Sequence, residues 1–295
     1  MPSLNGVFAI IPTPFDANRE LDSESLRKVV DFEIKAGVNG ITTLGIMGEV
    51  HRLSDQERHL VTEVVVKHVE KRVPVVAGTG ANGTELAIKY STEAARLGVD
   101  AVMVAPPRLL KANDEAIYRY YQEVAGSVHV PVVIQDEPVT YSVHLSPFLI
   151  ARLADIEGIQ YLKLEDAPTP AKISQIRKLI SDRLGIFGGL GGLYAFEELS
   201  RGACGIMTGF AYPELLTEIY AEFSKGSKSK ARDLFHKALP IIRYEAQPGI
   251  NLAIRKEILR RRGIIKTATL REPAPKLDEE GLQELSELID SLGLK

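Results

Sequence analysis

Short apolar runs alternate with amphipathic stretches along most of the chain. The runs at 6–11, 41–44, 73–76, 101–105, 130–135, 159–164, 186–188 and 204–208 are too short for helices and read as strands. Between and after them, 23–35, 54–71, 84–97, 113–128, 146–154, 169–184, 194–201 and 213–225 carry helical spacing, as with Leu26, Val29, Val30 and Ile34 in the first. Ser54, with Glu57 three residues on, predicts a capping box at the second helix.

Eight strand-helix pairs in succession predict a parallel sheet, because strands joined through helices must cross over. Three junctions resemble one another: Ala36-Gly37-Val38, Leu97-Gly98-Val99 and Arg201-Gly202-Ala203 each end a helix on Gly and open a strand. A unit recurring about every 30 residues suits a closed (β/α)8, or TIM, barrel of the α/β class. An open doubly wound sheet is the rival. Beyond about residue 227 the pattern is helical only, over 229–244, 249–262 and 278–292. The expectation is a barrel over 1–225 with a C-terminal helical extension, 226–295, packed on it.

Composition narrows the class of function. Apolar residues make up 45% and charged residues 25%, which suits a globular protein and not a disordered one. The net charge of −3 offers no basic excess for nucleic acid or an anionic membrane. No basic and then apolar leader pattern opens the sequence and no run of about 18 apolar residues occurs, so a cytoplasmic location is expected. The single cysteine, Cys204, cannot form an internal disulfide, and the six histidines show no metal-ligand spacing. No cofactor and no metal are expected.

Strand alternation then singles out one side chain. Val130, Val132 and Ile134 take the outward phase of the fifth strand, leaving Val133, Gln135 and Glu137 inward. Leu162 and Leu164 do the same on the sixth, which sends Ile159, Tyr161, Lys163 and Glu165 toward the lumen. Lys163 thus falls near the carboxyl end of its strand, where barrels keep their active sites. A lysine there is costly unless paired or neutral. An ordinary lysine is neutral in only about one molecule in 2,500 at pH 7. Desolvation raises that fraction and makes imine formation with a ketone feasible. The competing reading is a lysine that pairs with Glu165 or snorkels to the rim.

Several motifs in this order resemble the dihydrodipicolinate synthase and N-acetylneuraminate lyase family of class I aldolases and dehydratases. They are Pro12-Thr13-Pro14-Phe15, Gly45-Ile46-Met47-Gly48-Glu49, Tyr161-Leu162-Lys163-Leu164-Glu165 and Gly205-Ile206-Met207-Thr208-Gly209. The resemblance implies a TIM barrel, usually a homotetramer, with an imine-forming lysine at Lys163. The chain departs from the family at the strand-two turn, where Ile46 and Met47 replace hydroxyl residues. After strand four it has Pro106-Pro107-Arg108 in place of Pro-Tyr-Tyr. On strand five Gln135-Asp136-Glu137-Pro138 replaces Tyr-Asn-x-Pro, and Thr140 stands where synthases carry an arginine. Gln-Asp-x-Pro together with Lys-x-Glu is closer to the 2-keto-3-deoxy sugar-acid dehydratase branch, L-2-keto-3-deoxyarabonate dehydratase in particular.

The resulting expectation is a Schiff-base lyase on a 2-oxo acid, most of all a 2-keto-3-deoxy sugar-acid dehydratase or aldolase. Its alternatives are 4-hydroxy-tetrahydrodipicolinate synthase, N-acetylneuraminate lyase, or a barrel that only binds a small acid. Lys163 is the expected nucleophile, Glu165 the carboxylate for proton transfer, and Gln135, which cannot titrate, the hydrogen-bonding positioner. Substrate contacts are expected from Gly45, Ile46, Met47, Gly189 and Met207, with Arg108 as a fork for a distal carboxylate. The expected partners are the small-molecule 2-oxo acid and other copies of the chain, with no nucleic acid and no membrane.

Overall fold

Strands whose partners lie a helix away in sequence have only a parallel ladder open to them, and eight of them close here into a ring. The computed structural model describes residues 4–108 and 113–294. The strands pair in chain order, with the last back on the first: β1 (Gly6–Ile10), β2 (Gly40–Thr43), β3 (Val75–Gly78), β4 (Ala101–Val104), β5 (Val132–Asp136), β6 (Ile159–Leu164), β7 (Gly185–Gly188) and β8 (Gly205–Thr208). Around them run α1 (Ser23–Lys35), α2 (Asp55–Val69), α3 (Thr84–Leu97), α4 (Asp114–Gly126), the single turn α5 (Pro138–Tyr141), α6 (Pro147–Leu153), α7 (Thr169–Ile180), α8 (Ala195–Ser200) and α9 (Pro213–Ser224). Then follow α10 (Lys228–Glu245), α11 (Asn251–Arg261) and α12 (Glu279–Ser291). The chain is therefore a TIM barrel with further helices after it. Among the described residues, no helix is long and apolar enough to cross a membrane.

Local signals act as the sequence suggests at several ends. Ser54 accepts the Glu57 amide and Glu57 reaches back to the Ser54 amide, closing the capping box of α2. Gly98 ends α3 in the left-handed region at φ 98°. Two expectations shift. The third strand starts at Val75 and not at 73, because Pro74 has no N–H for the ladder and contributes only its carbonyl, to Ile41. Ile159 packs in the outer layer and not in the lumen. Val132 faces Ile159 while Val133 faces Tyr161, so the β5–β6 register slips by one residue at Gln160. From Tyr161 onward the expected phase holds.

The core divides in two. Outward strand residues meet the helix ring in one large apolar layer. Inside the barrel, Phe8, Ile10, Val76, Met103, Val133, Tyr161, Phe187 and Met207 form a separate plug. Phe8 meets Phe187 edge-on at 5.2 Å, and the Tyr161 hydroxyl accepts the Leu4 amide at 2.9 Å. Gly40 and Gly185 make room for these rings, since a Cβ would lie 2.1 Å from Phe8 and 2.5 Å from Tyr161. Each fully buried large side chain contributes roughly 1.5–3 kcal/mol. The filled lower lumen excludes water and leaves the mouth as the place for polar groups.

The later helices close over that mouth. α10 packs on α9 and α8. α11 is buried over every position from Leu252 to Leu259, charges included. Lys256, with no exposed surface, donates to Glu49 Oε1 at 2.6 Å and lies over the Phe15 ring at 4.5 Å. Glu49 also accepts from Arg52 at 2.9 Å and from the Arg271 amide at 3.1 Å. The turn after β2 is thereby tied to the C-terminal helices.

A second buried acid has no such partner. Glu33 on α1 is fully buried and its Oε2 has no hydrogen bond among the described residues. Burial pushes its carboxyl up to about 8, Arg255 and Arg262 opposing the rise while Glu214 and Glu245 add to it. The folded chain thus keeps a proton that the unfolded chain releases above about pH 4.5, so stability falls as pH rises toward about 8. Glu33→Gln removes this loss. Urea midpoints of variant and wild type are expected to diverge, in favour of the variant, across that window; a difference independent of pH contradicts the assignment.

Candidate active site

The inward phase of β5 and β6 sets two polar side chains side by side at the carboxyl end of the barrel. Gln135 and Lys163 are register partners, and both are buried. Lys163 is 2% exposed, and its Nζ donates to Glu165 Oε2, the carboxylate two residues on. Gln135 Nε2 approaches the same oxygen at 3.5 Å. The other oxygen, Oε1, lies 3.4 Å from the Leu190 amide in the turn after β7. Glu165 is itself held by its amide, which donates to the Asp136 carbonyl at 2.8 Å. A buried ammonium or carboxylate alone is prohibitively costly, so each answers for the other's burial. The pairing weighed against catalysis from sequence is therefore present.

Above these groups lies a cavity of about 360 Å³. Lys163 and Glu165 form one part of its wall, Ile46 and Met47 of the strand-two turn another. Glu137 and Thr140 reach it from the turn after β5, Leu190 and Gly191 from the turn after β7, and Thr208 from β8. α10 and α11 supply Ile242, Glu245 and Arg255. Its size suits a small molecule of several carbons.

The expected site residues fall into three groups. Lys163, Glu165, Ile46 and Met47 line the cavity, and Gln135 stands behind Glu165. Gly45, Gly189 and Met207 lie beneath or beside the wall. Met207 packs in the lumen plug, a Cβ on Gly45 would meet Ile10 at 2.8 Å, and one on Gly189 would meet Glu165 Cγ at 2.4 Å. Arg108 is exposed and outside the wall, its amide donating to Asn82 Oδ1 at 3.0 Å. A distal fork therefore does not come from Arg108. His51 is exposed, partial desolvation and Arg52 push its imidazole down, and it is not part of the lining. Burial pushes the Cys204 thiol up to about 12, which silences it as a nucleophile. No cluster of His, Cys, Asp and Glu among the described residues could hold a metal.

Sequence reasoning missed two features. Tyr141 ends α5, just past β5; burial holds its phenol above the ordinary value, and the charges of Glu137 and Glu165 add to the rise. Arg255 is the second. Its signal was legible: a charge at helical spacing between Leu252 and Leu259, on a face otherwise apolar.

Fold and site together define a class: a closed parallel barrel with a buried primary amine at the carboxyl end of its sixth strand. The chain belongs to the dihydrodipicolinate synthetase family, whose model matches residues 3–292. It is 30% identical over 289 residues to an L-2-keto-3-deoxyarabonate dehydratase of Azospirillum brasilense, covering 96% of this chain and 93% of that one. A dihydrodipicolinate synthase structure from Rhodopseudomonas palustris superposes with a TM-score of 0.91 at 33% identity, covering 97% of each chain. A prophage protein of the same family from E. coli K12, solved in complex with pyruvate, superposes with a TM-score of 0.92 at 26% identity over 99% of each chain.

Gly189 bears directly on the Lys163–Glu165 contact. Gly189→Ala drives a methyl into Glu165 and displaces the carboxylate. The expected outcome is a loss in kcat of about 10–100-fold together with a lower melting temperature, because buried Lys163 loses its partner. Steady-state kinetics beside a thermal melt check this; unchanged turnover contradicts it.

Proposed function

We propose that the chain is a lyase that joins Lys163 to the carbonyl of a 2-oxo acid and uses the imine to break a bond further along. The observation that carries this reading is a nearly inaccessible primary amine, bonded to a carboxylate, in the wall of a small-molecule cavity. Lys163 gives a proton to Glu165 and its free electron pair attacks C2 of the acid. The carbinolamine so formed loses water, its oxygen leaving with two protons, and an iminium remains. Its positive nitrogen draws electrons from C3 and acidifies the C3–H bond. Glu165 removes that proton and hands it to the C4 hydroxyl, which the electron pair expels as water; alternatively Glu165 takes the proton of the C4 hydroxyl, and the C3–C4 bond breaks to leave a carbonyl at C4 and an enamine at C3. Hydrolysis of the imine restores Lys163.

Gln135 holds the Glu165 carboxylate from one side and Leu190 N–H from the other, which aims its oxygens at the reacting carbons. The C1 carboxylate is taken at the strand-two turn, by main chain in the absence of hydroxyls at Ile46 and Met47. The similarity to a 2-keto-3-deoxyarabonate dehydratase supports dehydration. Thr140, in place of the arginine that the family resemblance leads one to expect in synthases, weighs against dihydrodipicolinate synthesis. Assembly into a homo-oligomer of four copies and residence in the cytoplasm belong to the same reading. Two strongly exposed apolar side chains, Val139 and Phe148, favour the assembly.

Borohydride reduction in the presence of pyruvate tests the chemistry. A stable mass adduct on Lys163 is expected, absent in Lys163→Ala together with all turnover. Glu165→Gln keeps the shape and is expected to cost about 10²–10⁴-fold in kcat. A folded protein in which no 2-oxo acid labels Lys163 overturns the reading and leaves a barrel that only binds.

A further inference from the structure

The strand ends that hold the active groups carry a second charged cluster on their outer face, which the imine chemistry does not touch. Val132 and Ile134 pack in the outer layer and Val133 in the lumen plug, so alternation sends Gln135 inward and its neighbour Asp136 outward. Lys172, on the buried face of α7, is 7% exposed. Its Nζ donates to Asp136 Oδ2 at 2.6 Å and to Asp166 Oδ2 at 2.8 Å. Asp136 is fully buried, and burial pushes its carboxyl up to about 6 with Lys172 opposing the rise. Asp166 directly follows Glu165, and its other oxygen lies 3.5 Å from His144 Nδ1. One ammonium thus joins the residue after Gln135 to the residue after Glu165. Lys172, Asp136 and Asp166 all lie outside the wall of the cavity that holds Lys163.

We infer that Lys172 is a positioning residue for the reaction: by tying Asp136 to Asp166 outside the barrel it sets the gap between Gln135 and Glu165 inside it, and so aims the carboxylate that moves the C3 proton. This rests on the imine reading and adds a residue to it. The ladder does not reach far enough to fix that gap by itself. Its last β5–β6 partners are Asp136 and Leu164, and Glu165 lies one residue past the strand, held there by its amide on the Asp136 carbonyl. The Gln135–Glu165 contact, at 3.5 Å, already stands at the limit of hydrogen bonding, so a small parting of the two strand ends breaks it. A charged tie shielded from water resists that parting, because its contacts are strong and tolerate little distortion. Active groups keep their aim only when the residues behind them are held in this way.

Deuterium exchange into pyruvate reads Glu165 without the natural substrate. On the pyruvate iminium Glu165 takes a proton from C3 and leaves an enamine; the carboxyl trades that proton with D2O and returns a deuteron to C3. Borohydride labelling of Lys163 by pyruvate, taken to completion, reads imine formation beside it. Lys172→Met with Asp136→Asn removes the tie and leaves only Asp166, which is partly exposed, without its partner. This double variant is expected to label fully and to exchange about 10–100-fold more slowly than wild type. Lys172→Arg keeps a cation with donors for both acids and is expected to exchange within about threefold of wild type. A double variant that exchanges at the wild-type rate overturns the inference. So does one that loses label and exchange together, the mark of a role in folding alone, and so does a Lys172→Arg variant as slow as the double variant. The imine reading stands in each of these cases. A wild type that labels without exchange removes Glu165 as the base and the inference with it, and a wild type that takes no label overturns the imine reading itself.

Discussion

A lysine amine cannot end inside a filled barrel unless another group shares the cost of its burial, and the arrangement around Lys163 follows from that constraint. The lower lumen is closed by Phe8, Tyr161 and Phe187 and admits no water. At the top of β6 the next inward position is Lys163, and the one after it is Glu165. Period-two alternation puts both on one face, so the partner comes from the same strand and needs no loop to deliver it. Gln135 from β5 and the Leu190 amide then fix the carboxylate. The amine is held at 2% exposure beside a carboxylate in the cavity wall.

The same logic recurs wherever charge is buried in this chain. α11 places Arg255 and Lys256 at adjacent positions, and each finds a carboxylate on a different element, Glu245 on α10 and Glu49 after β2. A buried pair of this kind contributes little net stability compared with apolar packing, but breaking one half of it is severe. Such pairs therefore act as registration devices: α11 has one seating that satisfies both. That seating fixes the strand-two turn and the α10 rim relative to Lys163. A helix outside the barrel proper thus helps set the shape of a cavity built mainly by strand ends.

Much of this was legible in the chain, and the failures have definite causes. Eight strand-helix units, the parallel ladder and the Gln135–Lys163 pairing follow from periodicity, because a closed parallel barrel fixes which phase faces out. Ile159 was misread because alternation assumes an unbroken register, and one extra residue at Gln160 resets it. Arg108 was assigned to the mouth because it follows β4, yet a position just past a strand fixes only the chain's entry to the loop and not the side chain's direction. Arg255 escaped because a charge within a helix usually marks a solvated face. Leu252, Ile258 and Leu259 at helical spacing around it distinguish it, a signal present in the sequence but obscured by the adjoining charges of Lys256 and Glu257.

The division of labour within the cavity explains how one scaffold serves relatives bearing different names. The covalent step needs only an amine, a carboxylate and dryness, all supplied by β5, β6 and the β7 turn. The strand-two turn, α10 and α11 complete the wall, where Ile46, Met47, Glu245 and Arg255 are held by side-chain contacts and not by the ladder. Substitution there costs local packing and leaves the ring of strands intact. That part of the wall can therefore drift while the strand-end amine and carboxylate are kept, and in this chain it carries Ile46 and Met47 at the turn and a clamped guanidinium on α11.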